Sequence, residues 1–315
     1  MTIAWVIGSR GLLGSALHRA LHRMGVPLFT PVELFCWDNQ AELTVQLVAA
    51  VKAFAAIAAT GKSWQLYWAA GLGTMGSTEA ELALETQVLS TLLRLIESEP
   101  KLVAAKGGFA FASSAGAIYA GATDDIINEN TPAAPTTAYA REKIKQENLL
   151  STFADSNRNA TVLLARISTL YGPGQAVGKQ QGLLALIARH ILRNQPIQIY
   201  VPFDTIRDYI TADDAAAAII AALRAISAES GVFTKIIASE QPATIAEIIS
   251  IYKRIARRKP RIVTSASKQS SLYTRRIQFH SIAVPVDEPL PKTSLLVGIA
   301  QVMAAERSAF ARSRL

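Results

Sequence analysis

A doubly wound α/β fold is predicted, an open parallel sheet with helices on both faces followed by a smaller C-terminal lobe. Three observations lead there. Short apolar runs alternate with longer segments of helical spacing through the first half of the chain. The first run ends in Gly8-Ser9-Arg10-Gly11-Leu12-Leu13-Gly14, a glycine-rich turn between a strand and a helix. The 315 residues are 50% hydrophobic and 18% charged, enough apolar material for a large core and too little charge for disorder.

Residues 2–7 are a short apolar run that stops at glycines, the pattern of a buried parallel strand. Residues 12–24 have helical spacing, with Leu13, Leu17, Ala20 and Leu21 on one side. A second strand is expected at 26–30, a third at 33–37 and a helix over 40–59. The apolar part of that helix is Ala-rich, short and interrupted by Lys52, so it reads as a buried amphipathic helix rather than a membrane span. A strand at 64–70, a helix at 79–97, a strand at 108–113, a helix at 138–153 and a strand at 161–167 follow. Past Tyr171-Gly172-Pro173-Gly174 the rhythm changes. Helices are expected at 182–193, 213–226 and 245–256, strands at 197–201 and 232–238, and a last helix near 295–309. The stretch between, with Pro260, Pro285, Pro289 and Pro291, is irregular.

The glycines have a mechanical reason. Gly8 allows the tight turn, Gly11 lets the backbone approach a dinucleotide pyrophosphate, and Gly14 allows close helix–strand packing. The helix N-terminus then faces the phosphates. In this strand–turn–helix setting the loop predicts a Rossmann-type cofactor site built from Gly8, Ser9, Arg10, Gly11, Leu12, Leu13 and Gly14. A carboxylate at the end of the second strand would bond the adenine ribose. Here that region reads Leu28-Phe29-Thr30-Pro31, with no carboxylate until Glu33. Arg10 instead offers a guanidinium that can grip a 2′-phosphate. The cofactor is therefore NADP or NAD, with NADP favoured. The plainer reading of Arg10 is a solvent-facing loop residue. Asp38 is a candidate for adenine contact.

Tyr139 and Lys143 stand four apart in Thr137-Ala138-Tyr139-Ala140-Arg141-Glu142-Lys143, and Ser114 lies upstream in Phe111-Ala112-Ser113-Ser114-Ala115. A tyrosine with a pKa near its usual value of about 10 is a poor acid–base catalyst at neutral pH. A lysine one helical turn later shares its face and can stabilise the phenolate. It can also hydrogen-bond a nicotinamide ribose, while a serine hydroxyl holds the substrate oxygen. Without the glycine loop and Ser114, the pair would read as an ordinary exposed helical pair.

With these residues in view, the chain resembles an extended short-chain dehydrogenase/reductase of the NAD-dependent epimerase/dehydratase group, which acts on nucleotide sugars. The resemblance runs over nearly the whole length. It includes Gly8, Gly11 and Gly14, the Ala69-Ala70-Gly71 segment, Ser113-Ser114-Ala115-x-x-Ile118-Tyr119 and Tyr139-x-x-x-Lys143. It continues through Arg166-x-x-x-x-Tyr171-Gly172-Pro173-Gly174, Arg207-Asp208-Tyr209-Ile210-x-x-Asp213-Asp214-Ala215 and Leu290-Pro291-x-Thr293-Ser294-Leu295-x-x-Gly298-Ile299. It implies catalytic roles for Ser114, Tyr139 and Lys143, cofactor contacts at Ala69, Ala70 and Gly71, and a substrate contact at Arg207. Arg275 and Arg276 are placed to reach a diphosphate across the lobes, or else are ordinary surface residues. Residues 1–170 are then the dinucleotide-binding domain, with later segments around 205–238 joining it, and 171–315 are mainly the substrate-binding lobe.

The pattern also departs from the family. Gln87 stands where the family usually has Asn, and Ala120 where Gly is common. Ala115-Gly116-Ala117 replaces the Thr-Asp-Glu segment typical of 4,6-dehydratases, and the Cys and His pair of the 3,5-epimerase–reductases has no counterpart. A 4-epimerase or a 4-keto reductase is the expected activity. A catalytically impaired regulator that senses NADP is the alternative.

The net charge of +8 is concentrated late, in Lys253-Arg254, Arg257-Arg258-Lys259, Arg261, Arg275-Arg276, Arg307, Arg312 and Arg314. A basic surface suits anionic partners, although a solvated face is the simpler account. No nucleic-acid motif accompanies it, and Trp5, Trp37, Trp64 and Trp68 are expected in the core, so a nucleic-acid partner is not expected. The single Cys36 excludes an internal disulfide, fits a reducing compartment and reads as a small core residue. No secretory signal is recognised before the first strand. His18 and His22 share a helix face without a third ligand, and His190 and His280 are isolated, so no metal is expected. The expected setting is the cytoplasm, as a homodimer with no integral membrane segment.

Overall fold

The computed structural model describes residues 2–61, 63–71, 73–74, 76–175, 182–257, 260–264, 276–285 and 292–312. In chain order the first half runs β1 (Thr2–Ile7), α1 (Leu12–Arg23), β2 (Leu28–Phe29), α2 (Gln40–Ala58), β3 (Ser63–Trp68), α3 (Glu79–Glu97) and α4 (Pro100–Ala104). Next come β4 (Lys106–Ser114), α5 (Ala115–Ile118), α6 (Ala138–Ser156), β5 (Ala160–Ile167), β6 (Thr169–Tyr171), α7 (Leu183–Leu192) and β7 (Ile197–Ile199). The rest is β8 (Ile206–Thr211), α8 (Ala212–Ala225), β9 (Gly231–Ile237), β10 (Pro242–Thr244), α9 (Ile245–Ala256), β11 (Ile262–Thr264) and α10 (Leu295–Arg312).

Six strands form one sheet in the order β2–β1–β3–β4–β5–β9, each neighbouring pair parallel. The order reverses at β1, whose neighbours are β2 on one side and β3 on the other. That reversal opens a crevice at the carboxyl ends of the strands, and the glycine loop leaves β1 there. One face is filled by Leu43, Leu47, Val51 and Phe54 of α2 with Leu89, Leu92 and Ile96 of α3. Trp5 lies under them, its ring 5.2 Å from both Phe29 and Phe54. Burying each such side chain stabilises the fold by roughly 1.5–3 kcal/mol. On the other face Leu13, Leu17 and Leu21 of α1 meet Ala215, Ala216 and Ile219 of α8. The alanines of α8 let the two helices approach closely.

Among the described residues α2 is long and apolar enough to cross a membrane by length and composition. Its Leu43, Leu47, Ala50, Val51, Phe54, Ala55 and Ala58 are buried in the core instead.

The second lobe gathers α7, α9 and α10 around Tyr171, Tyr252, Ile249, Ile299 and Val302. Its strands are β10–β8–β6 and the pair β11–β7. Asp208 on β8 ties this lobe to the large sheet. It is buried, and its Oδ1 accepts from Ser168 Oγ at 2.6 Å and the Ser239 amide at 2.9 Å, while Oδ2 accepts from Ser239 Oγ at 2.8 Å.

Several expectations need correction. Residues 33–37 form no strand: Phe35 packs on Trp5, and the Cys36 amide donates to Gln46 Oε1, so side chains of other elements hold the segment as a loop. The second strand shortens to Leu28–Phe29, since Pro31 cannot extend the ladder. Cys36 is half-buried rather than in the core, and Trp37 is exposed on the edge of Phe35 while Trp5, Trp64 and Trp68 are buried. The elements α4, α5, β6, β8, β10 and β11 were not anticipated. Arg258, Lys259, Arg275, Pro289, Leu290, Pro291 and Arg314, singled out in the sequence, lie outside the described residues.

Candidate active site

Because the sheet is parallel, the turns after β1, β2, β3 and β4 all leave from one edge. The glycine loop, the stretch containing Asp38, Ala69-Ala70-Gly71 and Ser114 therefore line the same rim. Gly8 adopts φ +86, and a Cβ there would lie 2.6 Å from the Ala70 amide nitrogen and 2.7 Å from Ala69 O. A Cβ at Gly14 would lie 2.1 Å from Gly8 O. The loop is thus pressed between the end of β3 and the first turn of α1, with no room for side chains at either position. Gly11 is the N-cap of α1, with no side-chain cap and no acidic residue in the first turn. The free N–H groups and the positive end of the helix dipole suit a phosphate. This cradle fits the pyrophosphate of a dinucleotide.

Ser9 and Arg10 are exposed on the loop, Leu12 is half-buried, and Leu13 and Gly14 are buried as α1 seats on the sheet. Asp38 is exposed, immediately before the N-cap of α2.

The second part of the site comes from β4 and α6. Thr137 caps α6, its hydroxyl accepting from the Ala140 amide at 3.2 Å. The cap fixes the first turn, which carries Tyr139, and Lys143 follows one turn later on the same face. Ser114 closes β4, and its side chain hydrogen-bonds the Tyr139 phenol. Lys143 Nζ lies 5.8 Å from the Tyr139 ring centroid and 4.9 Å from that of Phe111. Burial and the nearby charge of Glu85 hold the Tyr139 phenol up to about 12, with the Ser114 hydrogen bond opposing. Burial also holds Lys143 below the ordinary lysine range, against the pull of Glu85 and Glu147. The structure thus brings the serine, phenol and amine together, with the phenol in its protonated form at neutral pH.

Strand alternation sends Ser113 to the opposite side from Ser114. Ser113 Oγ donates to Glu147 Oε1 at 2.6 Å. Arg166 grips the same carboxylate with Nε at 3.0 Å and Nη2 at 2.6 Å, and its Nη1 donates to Tyr119 Oη at 2.5 Å. Glu147 is one further turn along α6 from Lys143, so this buried knot anchors the helix face that carries Tyr139 and Lys143.

Arg207 is half-buried on β8, with Nη1 donating to Ile206 O at 2.8 Å. Of the acids next to it in the chain, Asp208 accepts from Ser168 and Ser239, and Asp213 pairs with Arg19. Arg276 is exposed, and its backbone bridges Ile206. The two arginines therefore share one strand edge of the second lobe, although they are far apart in the chain.

Four site residues escaped the sequence reading. Glu147 had a signal, because it lies i+4 from Lys143 and so on the same helix face. Gln146, at i+3, had the same signal, whereas Glu85 and Thr86 had none. Glu85 looks like any acid near the start of a helix, yet it accepts a hydrogen bond from the Gly73 amide and lies against Gly71. Gln87, singled out as a departure from the family pattern, is exposed.

Comparison with known proteins gives a consistent picture. The family model described as NAD dependent epimerase/dehydratase family matches residues 4–234. The chain is similar to a dTDP-4-dehydro-6-deoxyglucose reductase of Escherichia coli, 32% identical over 113 residues, covering 36% of this chain and 35% of the relative. It is similar to a dTDP-L-rhamnose 4-epimerase of Burkholderia thailandensis, 31% identical over 96 residues, covering 30% of this chain and 26% of the relative. These matches span about a third or less of the relatives' own length. Among solved structures, RMD from Pseudomonas aeruginosa complexed with NADPH has a TM-score of 0.77 at 19% identity, over 98% of this chain and all of that one, a likeness of fold.

Proposed function

The chain belongs to the NAD dependent epimerase/dehydratase family, and from that premise we propose that it is an enzyme oxidising or reducing a sugar carbon of a nucleotide-diphosphate sugar, as a 4-epimerase or a 4-keto reductase. The observation that carries this reading is the hydrogen-bonded Ser114–Tyr139 pair, with Lys143 one turn away, on the rim shared with the glycine loop. The nicotinamide of NADP or NAD supplies the hydride partner when bound. Tyr139 moves the proton to or from the sugar oxygen. Ser114 holds that oxygen, and Lys143 stabilises the phenolate and orients the ribose. Gly8 to Gly14 hold the pyrophosphate, with Ala69, Ala70 and Gly71 beside it and Asp38 toward the adenine. Arg207 and Arg276 hold the nucleotide part of the substrate. The first 170 residues, joined by later segments around 205–238, form the cofactor domain and the remainder mainly the substrate lobe. As part of the same reading the protein works as a cytoplasmic homodimer.

A panel of nucleotide sugars, each assayed by nicotinamide absorbance together with product analysis, tests the reading. Conversion of one of them supports it. A protein that binds the dinucleotide but converts none of the panel would favour the NADP-sensing alternative.

Two further outcomes are expected. Arg10 is exposed beside the phosphate cradle, and no carboxylate follows Leu28-Phe29-Thr30. Calorimetric titration should show wild type preferring NADP and Arg10→Ala losing that preference. Equal losses for NAD and NADP, or a wild-type preference for NAD, would rule out Arg10 as the selector. Arg207→Ala should weaken nucleotide-sugar binding at least about tenfold, since a charge-assisted contact contributes roughly 1.5–3 kcal/mol. Unchanged affinity across several nucleotide sugars would assign Arg207 to shaping β8 alone.

A further inference from the structure

α6 carries Lys143 and, three residues on, Gln146; both are buried, at 6% and 3% exposure. Gln146 Oε1 accepts from Lys143 Nζ at 2.9 Å, and its Nε2 donates to Thr86 Oγ1 of α3 at 3.0 Å. An ammonium has only donors, so the amide oxygen must face Lys143 and the amide nitrogen must face Thr86. Thr86 also hydrogen-bonds the Glu142 carboxylate, which accepts from Lys145 at 2.8 Å. The amide is thereby held in one orientation, and along this chain of bonds the donors run outward from the amine, Lys143 to Gln146 and Gln146 to Thr86 of the neighbouring helix. Around Lys143 Nζ stand the charges of Glu85 from α3 and Glu147 from α6, the Tyr139 phenol and the apolar Phe111 ring of β4. Gln87, next to Thr86 in sequence, is exposed and lies outside this chain.

We propose that Gln146, oriented by Thr86, is the positioning residue that holds Lys143 beside Tyr139, and that Gln87 takes no part. The weight of this contact for turnover rests on the function proposed above. The contact itself does not, so it is tested without dinucleotide or sugar.

Competitive labelling with acetic anhydride as a function of pH, read by mass spectrometry at the Lys143 peptide, reports how readily that amine loses its proton. The proteins compared are wild type, Gln146→Met, Gln146→Glu, Thr86→Val and Gln87→Ala. A hydrogen bond to the charged form favours it. Gln146→Met should therefore move the labelling midpoint to lower pH and raise labelling at neutral pH about tenfold. Gln146→Glu should move the midpoint above that of wild type, and Thr86→Val should act like Gln146→Met but less. Gln87→Ala should match wild type. The assignment is overturned if Gln146→Met leaves the midpoint in place, including a rise in plateau alone, which marks loosened packing. It is also overturned if Gln87→Ala shifts the midpoint as far. Loss of sugar conversion in any variant bears on the catalytic reading only.

Discussion

Replacing Tyr139 by phenylalanine is expected to abolish measurable turnover while dinucleotide affinity stays close to wild type. The ring keeps its place in the first turn of α6, because the Thr137 cap and the packing against Lys143 do not involve the hydroxyl. What is lost is the oxygen that Ser114 bonds and that carries the proton in the proposed function. Positioned proton transfer contributes typically about 10²–10⁴-fold in rate, and no other described phenol bonds Ser114. The pyrophosphate cradle at Gly8 to Gly14 is on another element and should be untouched. The phenol stands at about 12 in the free protein, raised by burial and by Glu85, so it is protonated through the neutral range. In the function proposed above, such a phenol is set to give a proton to a sugar oxygen rather than take one. Steady-state rates with the converted nucleotide sugar, beside calorimetric titration of the cofactor, decide the matter. A variant within about tenfold of the wild-type rate would remove Tyr139 from the proton transfer.

The second large effect is expected in stability. Glu147→Ala leaves the Arg166 guanidinium without its carboxylate in a place where the two side chains are only 14% and 5% exposed. It also removes the acceptor of Ser113. Breaking one partner of a buried pair costs about 3–5 kcal/mol, because the remaining charge is uncompensated. Urea unfolding should show a loss of that size, and adding Arg166→Met to Glu147→Ala should recover part of it. A loss below about 1 kcal/mol, the range of exposed pairs, would mean that water reaches this knot and that it does not anchor α6.

The parts of the fold that local chemistry dictates were legible. The long helices α3, α6 and α9 begin at threonine caps and keep a helical stripe, so their positions follow from the sequence almost residue by residue. The strands β1, β4 and β5 are apolar runs because both faces of a parallel sheet are covered. What stayed hidden depends on partners distant in the chain. β8 contains Arg207-Asp208, a pair that argues against a buried strand. It is stable there only because Ser168 and Ser239 satisfy Asp208. The run 33–37 reads as a strand from composition alone, and only Gln46 and Trp5 explain why it stays a loop. The same holds for the site. The spacing of Ser114, Tyr139 and Lys143 points to a shared site, whereas Thr86 and Glu85 draw their importance from contacts with another helix and a turn that spacing does not reveal.

The sixth strand of the large sheet has a consequence for how the chain is made. β9 pairs along β5 from Thr161–Gly231 to Ile167–Ile237, yet β6, α7, β7, β8 and α8 are synthesised between them. At about 5–20 residues per second, a ribosome leaves the outer edge of β5 without its neighbour for several seconds. During that interval the nascent chain offers an open row of backbone donors and acceptors flanked by Val162 and Leu164, an invitation to pair with another molecule. A fragment cut near residue 170 would make that interval permanent. The first half of the chain, expressed alone, is therefore expected to aggregate, because the last strand of its sheet is delivered by the half that follows.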